Sequence, residues 1–383
     1  MISSKLNLDP TKDYGLVLEG GGAKGSYQIG AWKALREAGI SIKGISGASV
    51  GALNGALICM DDLETAEYIW ENISYSRVMD IDDSIMENMR TKNLKAIDMG
   101  LLVSEAKKVL RDRGFDITPL RKLISSAIDE EKIRSSGREL YITTYSVSDR
   151  QLLTINTVEL PPGEIGDMLM ASAFLPVFKT EKLRGRRYLD GGAIDNVPLD
   201  IFLDKGYEDI IIIRIYGLGH DSEKSAEIPE HTHVYHIAPR QNLGGILQFD
   251  KKQARKNMKL GYYDALRLLY GLEGRWYYIH APEPEELYFR QLTAQTDLLE
   301  RLLPPELTAS LADEKDLLPG FRYYTEVIFP RLARKWKLKE DWNYRELYLG
   351  ILENAARSRR ISRFCVYTPE ELTEKIYLHD HRF

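Results

Sequence analysis

The pentapeptide Gly47-Ala48-Ser49-Val50-Gly51 constrains the fold of this chain more than any other stretch. It lies between a predicted strand of small residues, Lys43–Ser46, and a predicted helix that begins near Val50. A sharp strand-to-helix turn of this type exposes its serine, and the flanking glycines let neighbouring backbone approach without a Cβ clash. The pattern therefore indicates α/β architecture, with Ser49 as a candidate nucleophile and Gly47 and Gly51 as its supports.

A second glycine-rich loop precedes this turn. The apolar run Tyr14–Leu18 predicts a buried strand, and a helix is predicted over Ala23–Ala38. A strand, a loop and a helix that leads to a second strand form a βαβ unit with parallel strand pairing. Free backbone N–H groups and the positive helix end converge at such a loop, which predicts an anion site. Its residues are Gly20, Gly21, Gly22, Ala23, Lys24 and Gly25.

Three kinds of anion fit a glycine loop in this position. A P-loop requires Gly-Lys-Ser/Thr in that order, whereas Lys24 precedes Gly25 here, so a Walker A site is excluded. The spacing Gly20-x-Gly22-x-x-Gly25 does match a dinucleotide fingerprint, but that site needs an acidic residue about 20 positions on, where this chain has Ser46–Ser49. A tetrahedral oxyanion formed by attack of Ser49 fits best, and dinucleotide binding stays the alternative.

The serine needs a base within hydrogen-bonding reach. Asp190 is the leading candidate, because it ends a predicted strand and is followed by Gly191 and Gly192, which permit a close approach to the serine turn. Partial desolvation would have to strengthen its carboxylate as a base. The alternative base is a histidine from a strand-like run; the candidates are His231, His233 and His236.

Composition narrows the class of protein. The formal net charge is −5 and the pI is about 5.9, which disfavours a nucleic-acid-binding protein. The two cysteines, Cys59 and Cys365, form no metal-ligand pattern, so neither a metal site nor a disulfide framework is expected. The amino terminus lacks the apolar region of a signal peptide, and no apolar run reaches transmembrane length. We therefore expect a soluble, cytoplasmic protein, although secretion without a cleaved signal would leave no mark here.

The periodicity of apolar residues changes after about residue 240, from where long helical patterns are predicted. We place a boundary near Pro282–Glu285 and predict an α/β catalytic domain over residues 1–282, with a core at about 14–215, and a helical region over 283–383. The α/β domain is expected to have a mainly parallel central sheet with helices on both faces. A basic stripe on the predicted helix 251–272 forms either a solvated face or a contact for anionic lipid.

Three motifs, taken together, resemble the signatures of the patatin-like phospholipase family. They are Gly20–Gly25, Gly47–Gly51 and Asp190–Gly192, and the segment Ala171–Pro176 resembles one that the family carries before its aspartate motif. The resemblance covers roughly Tyr14–Ile215, and it is specific because the motifs agree in order, context and spacing. It departs mildly from the family at Lys24, where arginine is frequent, and at Gly192, where alanine is frequent.

The resemblance implies a Ser–Asp dyad without histidine. Ser49 would be the nucleophile, Asp190 the base, and the Gly20–Gly25 loop the oxyanion hole. The family cleaves fatty-acyl esters of phospholipids and neutral lipids, so an acyl-lipid substrate, transient contact with membrane surfaces and no cofactor are implied. A catalytically inactive lipid-binding scaffold is a further alternative, because a blocked cleft would leave every motif intact.

Overall fold

The first of the two compact units, residues 6–269, is built on a seven-stranded sheet. The structure is a computed structural model that describes residues 5–90, 114–179, 181–294 and 320–380. The strands of the sheet are β1 (Asp13–Leu18), β2 (Ser41–Ala48), β3 (Glu139–Ser146), β4 (Gln151–Asn156), β5 (Tyr188–Asp190), β6 (Asp209–Ile213) and β7 (His233–Ile237). Their order is β4-β3-β2-β1-β6-β7, and β5 also pairs with β3.

The sheet is mixed but mostly parallel. The pairs β1–β2, β2–β3, β1–β6 and β6–β7 are parallel, whereas β4 and β5 both run antiparallel to β3. The strands β3 and β4 form the hairpin that the alternation of apolar and polar residues predicts. Parallel pairing of the central strands requires crossover connections, and helices provide them.

The helices of this unit alternate with the strands along much of the chain. They are α1 (Ser26–Glu37), α2 (Val50–Cys59), α3 (Leu63–Glu71), α4 (Tyr75–Val78), α5 (Asp83–Arg90), α6 (Thr118–Ala127), α7 (Glu130–Ser135), α8 (Ile165–Ser172), α9 (Asp200–Asp204) and α10 (Lys251–Tyr270). A short 3-10 turn, Gly22–Gly25, precedes α1. None of the helices in the described part of the chain is long and apolar enough to cross a membrane.

Helices cover both faces of the sheet. On one face Gly55 of α2 packs against Ile45 and Leu140 of β2 and β3. On the other face Phe202 of α9 belongs to a cluster of buried residues; the others are Val17, Tyr141, Val197, Leu199, Ile210 and Ile212. The successive residues Leu140 and Tyr141 therefore serve opposite faces, as expected for a strand buried on both sides. These observations confirm the predicted α/β class with a mainly parallel sheet.

The second unit, residues 270–383 with residues 1–5, is largely helical. Its described helices are α11 (Glu285–Ala294), α12 (Gly320–Tyr323), a π-helical turn (Tyr324–Ile328), α13 (Phe329–Lys335), α14 (Tyr344–Ser358) and α15 (Pro369–Asp380). A two-stranded parallel sheet joins β8 (Tyr278–Ile279) to β9 (Val366–Tyr367). The helical carboxyl-terminal region is thus confirmed, whereas the domain boundary at residues 282 and 283 stays a prediction.

The second unit has a hydrophobic core of its own. Buried side chains from α11, α13, α14 and α15 meet in one cluster, which includes Tyr288, Phe329, Leu352 and Ile376. The amino terminus of α14 is fixed by a capping box in which the side chains of Asn343 and Glu346 each bind the backbone of the other. Residues 295–319, part of which the sequence predicts as helix, lie outside the described residues.

Candidate active site

The turn that carries Ser49 holds an uncommon backbone conformation. Ser49 separates β2 from α2 and has φ 55° and ψ −125°, a region that residues other than glycine rarely adopt. A Cβ at Gly51 would lie 2.2 Å from the Leu18 carbonyl oxygen, and one at Gly47 would lie 2.4 Å from the Gly51 carbonyl carbon. Glycine is therefore needed at both positions for the turn to pack this closely against β1.

Ser172 ties the serine turn to its surroundings. The Ser49 N–H donates to the Ser172 hydroxyl at 2.8 Å, and that hydroxyl donates to the Thr143 carbonyl at 2.7 Å. Because Ser172 ends α8 and Thr143 lies in β3, two elements hold the turn in place. In the sequence Ser172 is only part of the segment 171–176, and no local pattern indicates that its hydroxyl reaches the turn.

The register of the sheet brings Asp190 to Ser49. Ala48, the last residue of β2, pairs with Thr143 of β3, while Asp190 of β5 pairs with the next residue, Thr144. Since β4 occupies the other edge of β3 along these residues, β5 continues the line of β2 on the same edge. Ser49 and Asp190 line the same cavity, and interaction with the Ser49 hydroxyl lowers the pKa of the Asp190 carboxyl.

Burial controls the protonation of Asp190. Asp190 is only 4% exposed, and Ser49 is 6% exposed. Burial raises the pKa of Asp190 to about 6, although hydrogen bonds from Ser49 and from the Gly192 N–H, at 2.8 Å, act in the opposite direction. A carboxylate with this pKa is mostly ionised at neutral pH and is a stronger base than an exposed aspartate.

Gly191 and Gly192 follow Asp190 in a 3-10 turn that leaves no room for side chains. A Cβ at Gly191 would lie 2.3 Å from the Thr143 carbonyl oxygen. A Cβ at Gly192 would lie 2.4 Å from Oδ1 of Asn196, so an alanine here would require that amide to move. Glycine at position 192 is thus matched to the position of Asn196.

Part of the glycine loop is already engaged in hydrogen bonds. The Gly20 N–H donates to the Asn196 carbonyl at 3.1 Å, and the Ala23 N–H donates to the Ile246 carbonyl at 2.7 Å. Neither N–H points to an empty space near Ser49. The sequence motif does not distinguish among the six residues of the loop. The structure shows which of their N–H groups are used in hydrogen bonds and which residues line the cavity of Ser49.

Gly21 and Gly22 are the residues of this loop that line a cavity together with the serine. Asp190 also lines this cavity. Their N–H groups donate to no acceptor in the part of the chain that the structure describes. Gly22 has φ 55°, a conformation that favours glycine. These two N–H groups are therefore the candidate donors to an oxyanion in this cavity.

Lys24 and Gly25 have other surroundings. The Lys24 ammonium group donates to the Tyr216 carbonyl at 2.5 Å, and burial lowers the pKa of this lysine. Lys24 lines a separate pocket with Arg240 and lines neither of the two cavities that contain Ser49. Gly25 ends the 3-10 turn, where a Cβ would lie 2.5 Å from Cγ2 of Val50.

A buried carboxylate, Glu19, holds the segment that packs on the glycine loop. One of its oxygens accepts the N–H groups of Ile215, at 2.6 Å, and Tyr216, at 2.9 Å, and the other accepts the N–H of Gly217 at 3.0 Å. The Arg214 guanidinium balances its charge at 3.1 Å. In the sequence Glu19 is only the polar end of a strand.

Asn196 completes this arrangement. Its side-chain Nδ2 donates to the Gly20 carbonyl at 3.1 Å and to the Glu19 carboxylate at 3.3 Å. Its backbone carbonyl accepts the Gly20 N–H. A Cβ at Gly217 would lie 1.9 Å from the Gly20 carbonyl oxygen, so the two loops are in backbone contact. Glu19 and Asn196 are positioning residues that the sequence motifs did not identify.

Ser49 lies where two cavities meet. The first has an apolar lining that runs along α2 from Ser49 through Leu53 to Leu57, with Trp70 and Ile124 on its other walls. The second is lined by Ser49, Asp190, Gly21 and Gly22. The serine can thus contact a group in either cavity.

The mouth of the second cavity is apolar. Leu218 and Val177 line it and are 74% and 40% exposed, and Ile194, next to the lining residue Ala193, is 45% exposed. Large apolar side chains with this exposure commonly mark a binding surface when they lie together.

The histidines considered as alternative bases lie outside both cavities. His231, His233 and His236 line neither of them, and His236 pairs with Glu223.

Comparisons with known proteins agree on one family. The family model described as patatin-like phospholipase matches residues 16–203. Neuropathy target esterase sws of Drosophila melanogaster is 26% identical over 206 residues, which is 52% of this chain and 13% of that protein. Lysophospholipase nte1 of Aspergillus terreus is 58% identical over 50 residues, 13% of this chain and 3% of that protein. The chain thus spans a small fraction of the length of these relatives.

Among solved structures, VipD from Legionella pneumophila is 15% identical to this chain with a TM-score of 0.42. The match covers 96% of this chain and 86% of that one. The family assignment itself rests on the sequence match over residues 16–203, the segment that contains Ser49, Asp190 and the glycine loop. Over residues 16–203, just under half of its length, the chain matches the patatin-like phospholipase family.

Proposed function

We propose that this protein is a serine acyl hydrolase that cleaves fatty-acyl ester bonds of phospholipids or related lipids. The observation that carries the proposal is the buried pair of Ser49 and Asp190, which line one cavity next to a second, apolar cavity that Ser49 also lines. The family match supports a lipid substrate, and two relatives bear the names esterase and lysophospholipase.

In the proposed acylation step, Ser49 Oγ attacks the ester carbonyl carbon while Asp190 accepts the hydroxyl proton. The carbonyl oxygen becomes an oxyanion, which the N–H groups of Gly21 and Gly22 stabilise. When the tetrahedral intermediate collapses, the carbon–oxygen bond to the alcohol breaks and Asp190 returns its proton to the departing oxygen. The products of this step are the free alcohol and a fatty acyl ester of Ser49.

Deacylation reverses these roles with water. Asp190 takes a proton from a water molecule that attacks the acyl carbon, and the same two N–H groups bind the second oxyanion. The bond to Ser49 Oγ then breaks and the proton passes to that oxygen, which restores the serine. The products are a fatty acid and the original dyad, so one ester and one water are consumed in each cycle.

The two cavities suggest how the substrate lies. The apolar cavity along α2 suits an acyl chain, since its lining offers hydrophobic contact and little else. The second cavity suits the alcohol part, which must leave after acylation. The exposed residues Leu218, Val177 and Ile194 would contact the lipid surface from which substrate is drawn.

Release of fatty acid from defined lipids tests this proposal. The unaltered protein should release fatty acid from lysophospholipid or phospholipid vesicles, whereas Ser49→Ala should not, with the same thermal unfolding midpoint. A protein that binds vesicles but releases no fatty acid from any acyl ester would instead be an inactive lipid-binding scaffold. A rise in unfolding midpoint with a saturating dinucleotide would favour the dinucleotide site.

A further inference from the structure

The second unit carries a concentration of arginines around one exposed tryptophan. Trp276 is 39% exposed, and the guanidinium carbons of Arg357 and Arg363 lie 4.1 Å and 6.0 Å from its ring centroid. Arg275 precedes the tryptophan, and Arg360 lies in the turn between the other two arginines. We call Arg275, Trp276, Arg357, Arg360 and Arg363 the arginine–tryptophan surface.

A buried carboxylate builds the loop that presents Trp276. Glu353 of α14 accepts the N–H groups of Arg275 at 3.0 Å and of Trp276 and Tyr277 at 2.8 Å each. With three backbone donors, this carboxylate is committed to the loop and forms no ion pair with the arginines of the surface in the described chain.

The end of α14 folds back toward the same loop. Arg360 has φ 55°, and the Ile361 N–H returns to the Ala356 carbonyl at 3.0 Å, which is the geometry of a helix-ending turn. The Tyr277 hydroxyl then donates to the Ile361 carbonyl at 2.9 Å. This reversal carries Arg363 to the ring of Trp276, so the surface is built by specific contacts.

The positive charge of this surface is not neutralised locally. The nearby acids are used elsewhere, since Asp380 binds Arg359 through two hydrogen bonds of 2.6 Å and Glu273 lies 3.5 Å from Arg345. Within the described ranges no carboxylate forms a salt bridge with the arginines of the surface. Four guanidinium groups against the single charge of Glu353 give a local excess of three positive charges in a chain whose net charge is −5.

We propose that the arginine–tryptophan surface binds the phosphate groups of an anionic membrane. Guanidinium groups bind phosphate through paired N–H donors, and each basic side chain near an anionic surface strengthens binding. Tryptophan is favoured at the head-group level of a membrane, where its ring edge enters the apolar layer while the N–H stays hydrated. The surface would recruit the whole chain to negatively charged lipid, independently of the catalytic proposal.

A nucleic acid is the competing kind of polyanion. Binding of single strands depends on the faces of aromatic rings, on which bases stack. Arg357 already covers one face of Trp276 at 4.1 Å, whereas an interfacial indole needs only its exposed edge. The net charge of −5 also opposes the wrapping of a polyanion around this chain.

Vesicle co-sedimentation tests the proposal with the full chain carrying Ser49→Ala, so that the vesicles stay intact. The protein should bind vesicles of equal parts phosphatidylcholine and phosphatidylglycerol and should not bind phosphatidylcholine alone. The double change Arg357→Gln and Arg363→Gln should weaken this binding by about 30-fold. The single change Arg360→Glu provides a second measure and should also weaken binding.

The matched control removes the same charge from another site. Lys122→Gln with Lys132→Gln, at exposed positions of α6 and α7, should leave vesicle binding unchanged. An equal loss in this control, or full binding by the arginine variants, would overturn the proposal. So would tighter binding of a single-stranded RNA oligonucleotide that the arginine changes abolish.

Discussion

Asp190 combines two properties that rarely occur together in one carboxylate, since it is buried and is proposed to act as a base. Its pKa of about 6 means that the basic form is lost as the pH falls through this value. We therefore expect kcat/KM for a soluble acyl ester to be constant above about pH 7 and to fall about tenfold per pH unit below pH 6. Initial-rate assays at constant ionic strength measure this pH profile.

The control for the pH profile is the thermal unfolding midpoint over the same pH range, which separates titration from acid unfolding. An activity that stays constant down to pH 5 in a folded protein would assign the base to another group. A midpoint of the profile near the ordinary pKa of an exposed carboxylate would likewise contradict the effect that we ascribe to burial.

The same burial has a consequence for stability. The pKa of Asp190 in the folded state, about 6, exceeds its ordinary value of 3.8, so the folded state binds the proton more tightly than the unfolded state does. Ionisation of Asp190 thus lowers the free energy of unfolding as the pH rises from about 4 to about 6. At pH 7.5 the loss amounts to about 3 kcal/mol.

Asp190→Asn removes this cost, because an amide does not ionise and still accepts a hydrogen bond from the Gly192 N–H. We expect the variant to be inactive yet more stable than the unaltered protein at pH 7.5, with a smaller gain at pH 5. Urea unfolding at the two pH values measures the difference. Asp204→Asn, an exposed aspartate on α9, should change neither value. A variant less stable than the unaltered protein at pH 7.5 would be inconsistent with a desolvated carboxylate.

At the scale of elements, the proposed oxyanion donors depend on the loop that Glu19 holds. Glutamine in its place has one acceptor oxygen where the carboxylate binds three N–H groups, and it removes one of the three carboxylates that bind the Arg214 guanidinium. Arg214 keeps its ion pairs with Asp221 and Glu223 in this variant, so the expected effect comes from the lost contacts to the loop. We expect Glu19→Gln to lower kcat by about 100-fold, the cost of one misplaced oxyanion donor. KM for a short soluble ester should change little, because neither cavity is lined by Glu19.

Asp221→Asn is the matched control, since it removes another carboxylate from the same arginine on its more exposed side. This variant should keep kcat within a few-fold of the unaltered protein. If Glu19→Gln raised KM alone, or if both variants lost activity equally, Glu19 would act on overall charge or folding and not on the position of the glycine loop.

The helix α2 sets a length scale for the acyl chain. Ser49 and Leu57 are eight residues apart along the apolar cavity, a rise of about 12 Å. Leu57→Phe should narrow the cavity at that distance and reduce hydrolysis of a palmitoyl ester by at least tenfold relative to a butyryl ester. Leu57→Met, which conserves volume, should keep the chain-length profile. A uniform loss for both esters would show that the cavity does not hold the acyl chain.

The sequence predicted these elements unequally. The order of strand, glycine loop, helix and serine turn follows from local patterns, because each has a characteristic period or turn residue. The approach of Asp190 to Ser49 depends on the register of β5 on β3, which involves residues far apart in the chain and has no local signature. For the same reason the roles of Glu19, Ser172 and Asn196 appear only in three dimensions.

At the scale of the whole molecule, the chain divides into a sheet-based unit and a helical unit. The change in apolar periodicity predicted the helical character of the second unit, because helical periodicity is a local property. It did not predict the two-stranded sheet that β8 and β9 form, since strands of two residues are too short to show alternation. The loop around Trp276 depends in turn on Glu353, which in sequence is one charged residue within a helical pattern.

The most direct test of the central claim is the hydrolysis of one soluble chromogenic acyl ester by four proteins under identical conditions. They are the unaltered protein, Ser49→Ala, Asp190→Asn and His236→Gln. A dyad of Ser49 and Asp190 predicts turnover by the unaltered protein and by His236→Gln, and none by the other two, all four being folded. Turnover by Asp190→Asn, together with its loss in His236→Gln, would contradict the account and assign the base to a histidine.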